Sequence, residues 1–208
     1  MVPVIFQLTT MFATLLILIV GTANVLATDY ILLIEDPEIY TKCEDGPPGS
    51  VGLNEAFDTS DMSADMDEDG IHVKGNIISK WSLPRTDRIS ARMSVFHFNR
   101  GNWEPTVFNT HTPDFCSSMF DPNQFWFKYW FKYFENRDEI QEKCLATKDT
   151  VLVYSPFVVI PRLNNVMGPP LTGRYKVVFL FEAFDEKGER RPSSVCFEVT
   201  GEAEKIRK

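Results

Sequence analysis

The run Asp65-Met66-Asp67-Glu68-Asp69-Gly70 sets carboxylates at alternate positions ahead of a glycine. The first half of a calcium-binding loop uses this spacing to wrap oxygen ligands around a hard cation. The second half is missing. The position where a bidentate glutamate closes the sphere falls on Asn76, and the residues after Gly70 alternate with a period of two. The stretch therefore reads as an acidic hairpin turn in which Gly70 supplies a positive φ. His72, His97 and His111 are scattered, there is no Gly-x-Ser-x-Gly elbow, and His111 near Cys116 does not form a thiol-protease pattern. No catalytic residue, metal site or cofactor is assigned, and the chain reads as a non-enzyme.

Cys43, Cys116, Cys144 and Cys196 include no Cys-x-x-Cys pair, which argues against zinc and dithiol redox chemistry. In an oxidising compartment an even number of widely spaced cysteines reads as two disulfides. Three pairings are open. Cys116 and Cys144 flank the aromatic segment described below, so a bond between them would staple its ends and leave Cys43 for Cys196. Export is indicated at the N-terminus: the first 27 residues lack Asp, Glu, Lys and Arg, and the apolar run from Met11 to Val20 leads into Val25-Leu26-Ala27, a signal-peptidase pattern. A retained signal anchor is the alternative, although Gln7, Thr9, Thr10 and Asn24 dilute the apolar stretch. The expected organisation is a signal peptide over 1–27 and a single secreted, extracellular domain over 28–208. That domain is large enough for one core, or for a core opened into a cavity. A net charge of −8 opposes nucleic acid and anionic membranes as partners. Transient membrane contact would have to be hydrophobic, or local to two lysines.

Ten aromatic rings lie between Phe115 and Phe134, and the densest part reads F-W-F-K-Y-W-F-K-Y-F from Phe125 to Phe134. Asp121-Pro122-Asn123-Gln124 precedes it, with Asp121 as N-cap, Pro122 at N1 and Gln124 at N3, so a single helix is predicted. On that helix Lys128 and Lys132 share a narrow polar sector while the rings sweep most of the rest. A surface helix ordinarily shows an apolar stripe of about 100°, and each ring left in water forgoes roughly 2–3 kcal/mol. One side is therefore expected to meet the fold and another a ligand, a membrane or a partner. Candidate ligand contacts are Phe125, Trp126, Phe127, Trp130, Phe131 and Phe134, joined by Trp103, Phe179 and Phe181 from strands. Lys128 and Lys132 are candidates for a polar head group, set against the plain alternative of a solvated face.

Strands must position these rings. From Ile71 to Leu83 odd positions are apolar or small and even positions mostly polar, which makes a half-buried strand. Arg88 to Phe98 alternates again, turns at Asn99-Arg100-Gly101-Asn102 and returns as Trp103 to Phe108. Val151 to Ile160 is β-rich and is followed by a loop from Arg162 to Gly173. Arg174 to Phe184 puts Tyr175, Val177, Phe179, Phe181 and Ala183 on one face. Ser193 to Thr200 then returns with Val195, Phe197 and Val199 facing opposite to Cys196. Thr112-Pro113 marks a short helix to Phe120, and Asp138 to Leu145 a further turn or two. The order of strands, helices, strands gives an α+β, mostly β, antiparallel fold. Small inward residues at Gly75, Ser79, Ala91 and Ala183 either leave room for a ligand in a cup-shaped sheet or relieve crowding where strands curve.

Several ungapped blocks occur in one order: Asn102-Trp103-Glu104-Pro105-Thr106, Lys143-Cys144-Leu145-Ala146, Gly173-Arg174-Tyr175-Lys176, Phe181-Glu182-Ala183 and Arg191-Pro192-Ser193-Ser194-Val195-Cys196-Phe197. In these the chain resembles the insect chemosensory B proteins, which are themselves similar to the GM2 activator protein of vertebrates. The resemblance implies a GM2-activator-like β-cup with a short helical segment at the rim enclosing an apolar cavity. It also implies secretion by support cells of taste sensilla and a part in gustatory detection of contact pheromones, which in insects are long cuticular hydrocarbons. It implies the pairings Cys43 with Cys196 and Cys116 with Cys144, and it brings no catalytic residues.

Two functions follow as expectations. The first is a carrier or presenter of a hydrophobic small molecule or lipid, with an internal void of several hundred Å³. The second is an extracellular accessory subunit that docks on a chemosensory receptor or ion-channel ectodomain through its aromatic surface and has no ligand of its own.

Overall fold

A computed structural model describes residues 27–206 apart from 37, 68 and 169; the expected signal segment lies outside the described residues save for Ala27. The chain is mostly antiparallel β-structure, with a curled sheet that forms a β-cup.

The larger sheet has eight strands. Its path starts at β10 (Arg162–Val166) and runs through β1 (Thr28–Ile34), β12 (Arg190–Lys205), β11 (Gly173–Phe184), β7 (Arg88–Asn99) and β8 (Asn102–Thr112). Two short strands, β2 (Thr41–Lys42) and β3 (Ser50–Val51), also pair with β12. The smaller sheet centres on β6 (Gly70–Ser79), which pairs with β4 (Phe57–Asp58), β5 (Met62–Asp67) and β9 (Val151–Val159). A short helix α1 (Leu53–Ala56) connects β3 to β4.

The period of two explains the strands. Along β6 Ile71, Val73, Ile77 and Ser79 are buried while Lys74 and Ile78 are exposed, and β11 buries Tyr175, Phe179, Phe181 and Ala183. The inner faces of both sheets supply one core: Ile77 and Leu152 from the small sheet join Phe179, Phe181 and Val195 from the large one.

Two irregularities shape the cup. Gly75 has φ +99°, and a Cβ there would lie 1.8 Å from the Asp61 carbonyl oxygen, so its lack of a side chain serves close backbone approach. Opposite it, the β9 register slips so that Ser155 and Pro156 face one residue of β6. Pro156 offers no N–H to the ladder and sits where none is needed. The slip brings Tyr154 and Phe157 to the same inner side, with ring centroids 5.6 Å apart. The β7–β8 hairpin closes through Arg100 and Gly101, both at positive φ, as a two-residue turn requires.

Three expectations are corrected. Residues 162–173 were expected to be all loop, yet Arg162–Val166 pairs with β1 through long-range registry that its polar composition hides. The short helix expected to follow a Thr112 cap is α2 (Phe115–Ser118), capped by Asp114, whose carboxylate accepts from the Ser117 N–H; Thr112 instead ends β8 and is buried.

The third concerns the aromatic segment, which is not one helix. It comprises α3 (Phe125–Tyr129), a break at Trp130 (φ −133°, ψ −59°) and a 3-10 turn over Phe131–Tyr133; α4 (Arg137–Lys143) follows. Asp121 caps a turn, accepting from the Asn123 N–H, and Gln124 is the residue that precedes α3. A straight helix would point some rings at water; breaking at Trp130 lets rings on both sides of the break turn to the sheets.

Candidate functional site

The helical region is tied down at both ends. Cys116 in α2 is bonded to Cys144, the residue that ends α4, and Cys43 is bonded to Cys196 in β12. These are the two pairings implied by the family resemblance. Between the anchors, Phe115 is fully buried and meets Trp126, Phe131 and Phe181 edge-on at 5.3–5.5 Å between ring centroids. Edge-to-face contacts of this kind add to simple burial. Trp126 also donates its indole N–H to the Thr112 hydroxyl at 3.2 Å, satisfying a buried polar group. Tyr133 lies flat on Phe157 of β9, with centroids 4.0 Å apart.

A half-enclosed apolar cavity of about 120 Å³ opens among these rings. Six of the nine ligand contacts expected from sequence line it: Trp126, Trp130, Phe131, Phe134, Phe179 and Phe181. Phe125, Phe127 and Trp103 stand outside the wall. Phe125 packs on Tyr129, and Phe127 lies beneath the Arg137 guanidinium at 5.8 Å. Trp103 is on β8 beside Phe98, with Lys176 Nζ 4.9 Å from its ring centre. Lys128 and Lys132 are exposed and outside the wall, and Lys132 rests over the Tyr133 ring.

The expected surplus of bare ring area is not what the structure displays. Trp126, Phe131 and Phe134 are buried, and Tyr129, at 37% exposure, is the one exposed ring of the segment. The rings are spent on the core and on the cavity wall. The void, at about 120 Å³, is also smaller than the several hundred Å³ expected.

The small strand residues do not make the hollow. Gly75, Ser79, Ala91 and Ala183 are outside its wall, and the Ser79 hydroxyl donates to the Leu145 carbonyl at 2.6 Å, a packing role. The remaining wall includes Tyr40, Met62, Trp81, Leu152, Tyr154 and Phe197. Tyr40, Leu53, Met62, Trp130, Tyr154 and Phe197 keep partial exposure, and on that ground the mouth is assigned to their part of the wall. Trp81 was legible as an inward position of the alternation from Ile71 to Leu83, although β6 itself ends at Ser79. Tyr40 was not, since it sits among acidic residues and is brought in by the Cys43–Cys196 bond and the pairing of Thr41 with Glu198. Burial raises the phenol pKa of Tyr40 well above its ordinary value, with Tyr154 adding to the effect, and burial raises that of Tyr154 as well. A charged ring is thus disfavoured at the cavity.

On the opposite face of the large sheet Lys176 and Glu198 form a buried ion pair at 3.3 Å. Burial raises the Glu198 pKa, and the Lys176 charge partly offsets this. Of the Asp65 to Gly70 run, Asp65 to Asp67 end β5 and Gly70, at φ +137°, begins β6 as the partner of Asp67, which accepts from the Asp69 N–H and faces the His72 ring. Among the described residues no group of three or more His, Cys, Asp or Glu is placed to hold a metal, and no helix is long and apolar enough to cross a membrane.

No curated protein matches the chain. Residues 91–177, from β7 through the aromatic segment and into β11, match the model of a family described as "Protein of unknown function (DUF1091)".

Proposed function

We propose that the protein is a secreted binding protein for an apolar ligand, a lipid or cuticular-hydrocarbon pheromone, which it carries or presents in chemosensory detection as the insect chemosensory B proteins do. The observation that carries this reading is the half-enclosed cavity whose wall combines rings of both sheets with Trp126, Trp130, Phe131 and Phe134 of the aromatic segment. A docking subunit without a ligand would have a filled core at this place, and with Trp126, Phe131 and Phe134 buried and Tyr129 the one exposed ring of the segment, little aromatic surface is left for docking. The two disulfides favour an oxidising compartment, and the family match over residues 91–177 is compatible with the resemblance.

A hollow of about 120 Å³ is close to the engineered apolar cavities that take up one benzene. A long chain would fill it with one end and leave through the mouth at Tyr40 and Trp130, or would part the short helices of the rim. Binding energy is then apolar burial, about 0.8 kcal/mol per methylene, so selection is by length and shape. Native mass spectrometry of protein secreted by insect cells, supplied with cuticular lipid extract, tests the reading. A one-to-one complex with an apolar species is expected. Protein that remains ligand-free throughout would refute it.

A further inference from the structure

This inference rests on the carrier reading and names the chemistry of the ligand. Three polar groups in the cavity wall have no partner. Trp81 is 7% exposed, and its Nε1–H is buried without an acceptor. Among the described residues one other buried side-chain polar atom lacks a partner, Ser63 Oγ, and Ser63 is not part of the wall. Tyr40 and Tyr154 both line the cavity and keep partial exposure, and neither hydroxyl makes a hydrogen bond to the described residues, so of the three groups the Trp81 N–H alone is fully shut off from water.

A pocket meant only for hydrocarbon gains nothing from such groups. A buried donor left unmatched, as at Trp81, costs more than an apolar ring of the same shape, and a hydroxyl at the wall is left unmatched in the same way once a hydrocarbon excludes water from it. The chain has 17 phenylalanines, among them the wall residues Phe57, Phe131, Phe134, Phe179, Phe181 and Phe197. Tyrosine at 40 and 154 is thus a departure from the residue the wall otherwise employs.

We propose that the ligand carries a neutral oxygen function on its apolar chain, an alcohol, ketone or ester, received by the hydroxyls of Tyr40 and Tyr154 with the Trp81 indole as a third donor in the same wall. The ligand is neutral because no charged side chain lines the cavity. A carboxylate or phosphate would lose its hydration there and meet no cation. The raised phenol pKa values agree, since the same surroundings oppose negative charge.

The test compares hexadecane, hexadecanol and hexadecanoate at pH 8 by intrinsic tryptophan emission, in the wild type and in Tyr40→Phe/Tyr154→Phe. The double variant keeps both rings, and its urea midpoint should match or exceed that of the wild type. Hexadecane should bind the variant at least as tightly as the wild type, and the ratio of hexadecanol to hexadecane affinity should fall about tenfold, the worth of two hydrogen bonds. Hexadecanoate should bind the wild type more weakly than hexadecanol. An unchanged ratio in the variant, or tighter binding of the anion, overturns the proposal. Hexadecane binding with no contribution from the tyrosines sinks this inference alone, whereas a protein that binds none of the three removes the carrier reading beneath it.

Discussion

The ring of Tyr40 meets the ring of Trp130 with centroids 5.9 Å apart and planes at 59°. One partner arrives from the N-terminal segment held by Cys43, and the other from the break in the aromatic segment, so the contact bridges the cavity mouth. Trp130→Ala should open that mouth and weaken binding of a long-chain ligand about tenfold, the worth of part of a ring's apolar contact. Trp130 is only half-buried, so its stability cost should be about 2 kcal/mol, below the roughly 3–5 kcal/mol of the enclosed Phe131→Ala. Urea unfolding and ligand titration of the two variants separate the effects.

The disulfides close loops of different length. Cys43 and Cys196 are 153 residues apart and Cys116 and Cys144 are 28 apart. Loop entropy assigns about 5 kcal/mol to the first and about 3.5 kcal/mol to the second. Paired serine substitutions should lower the unfolding midpoint in that order. Losing Cys43–Cys196 should also release Tyr40 from the mouth, which ligand titration would register.

Strand alternation was legible because burial on one face imposes a period of two that Ile71 to Ser79 and Tyr175 to Ala183 display openly. The apolar wall was only half legible. Trp126, Phe131, Phe179 and Phe181 are large, apolar and clustered in sequence, whereas Tyr154 reaches the wall through the β9 register slip at Pro156. No local signal in Phe125 to Phe134 marks the break at Trp130 either. The break is chosen by contacts with Phe157 and Tyr40, residues distant in sequence.

Lys176 and Glu198 are 5% and 6% exposed and lie on the outer face of the sheet. Removing one partner leaves an uncompensated buried charge. Lys176→Met or Glu198→Leu alone should cost about 3–5 kcal/mol, while the double variant should return to within about 1 kcal/mol of the wild type or exceed it. Chemical unfolding of the four proteins completes the cycle.

Two carboxyls impose opposite pH dependences. Asp87 accepts from Arg191 Nε and Nη2 at 2.7 Å each, and this hydrogen bonding holds its pKa below the ordinary 3.8. Its contribution to stability is full above that value and is lost as pH falls through the lowered pKa. Glu198, raised above 4.5 by burial, contributes stability below 4.5 that is lost as pH rises through its raised pKa. Asp87→Asn should therefore lower the thermal midpoint at pH 7 and converge with the wild type in strong acid. Glu198→Gln should lie closest to the wild type in acid, where both side chains are neutral, and should gain on it as pH rises through the raised pKa, because the variant has no carboxyl to ionise in the buried site. Melting curves between pH 2 and pH 8 read both.

Titration of Trp126 and Trp130 emission with a homologous series of linear hydrocarbons and their alcohols addresses the apolar cavity most directly. A saturable one-to-one change is expected, with affinity rising by about 0.8 kcal/mol per added methylene until the hollow and its mouth are filled. Emission that stays flat across the whole series would contradict it.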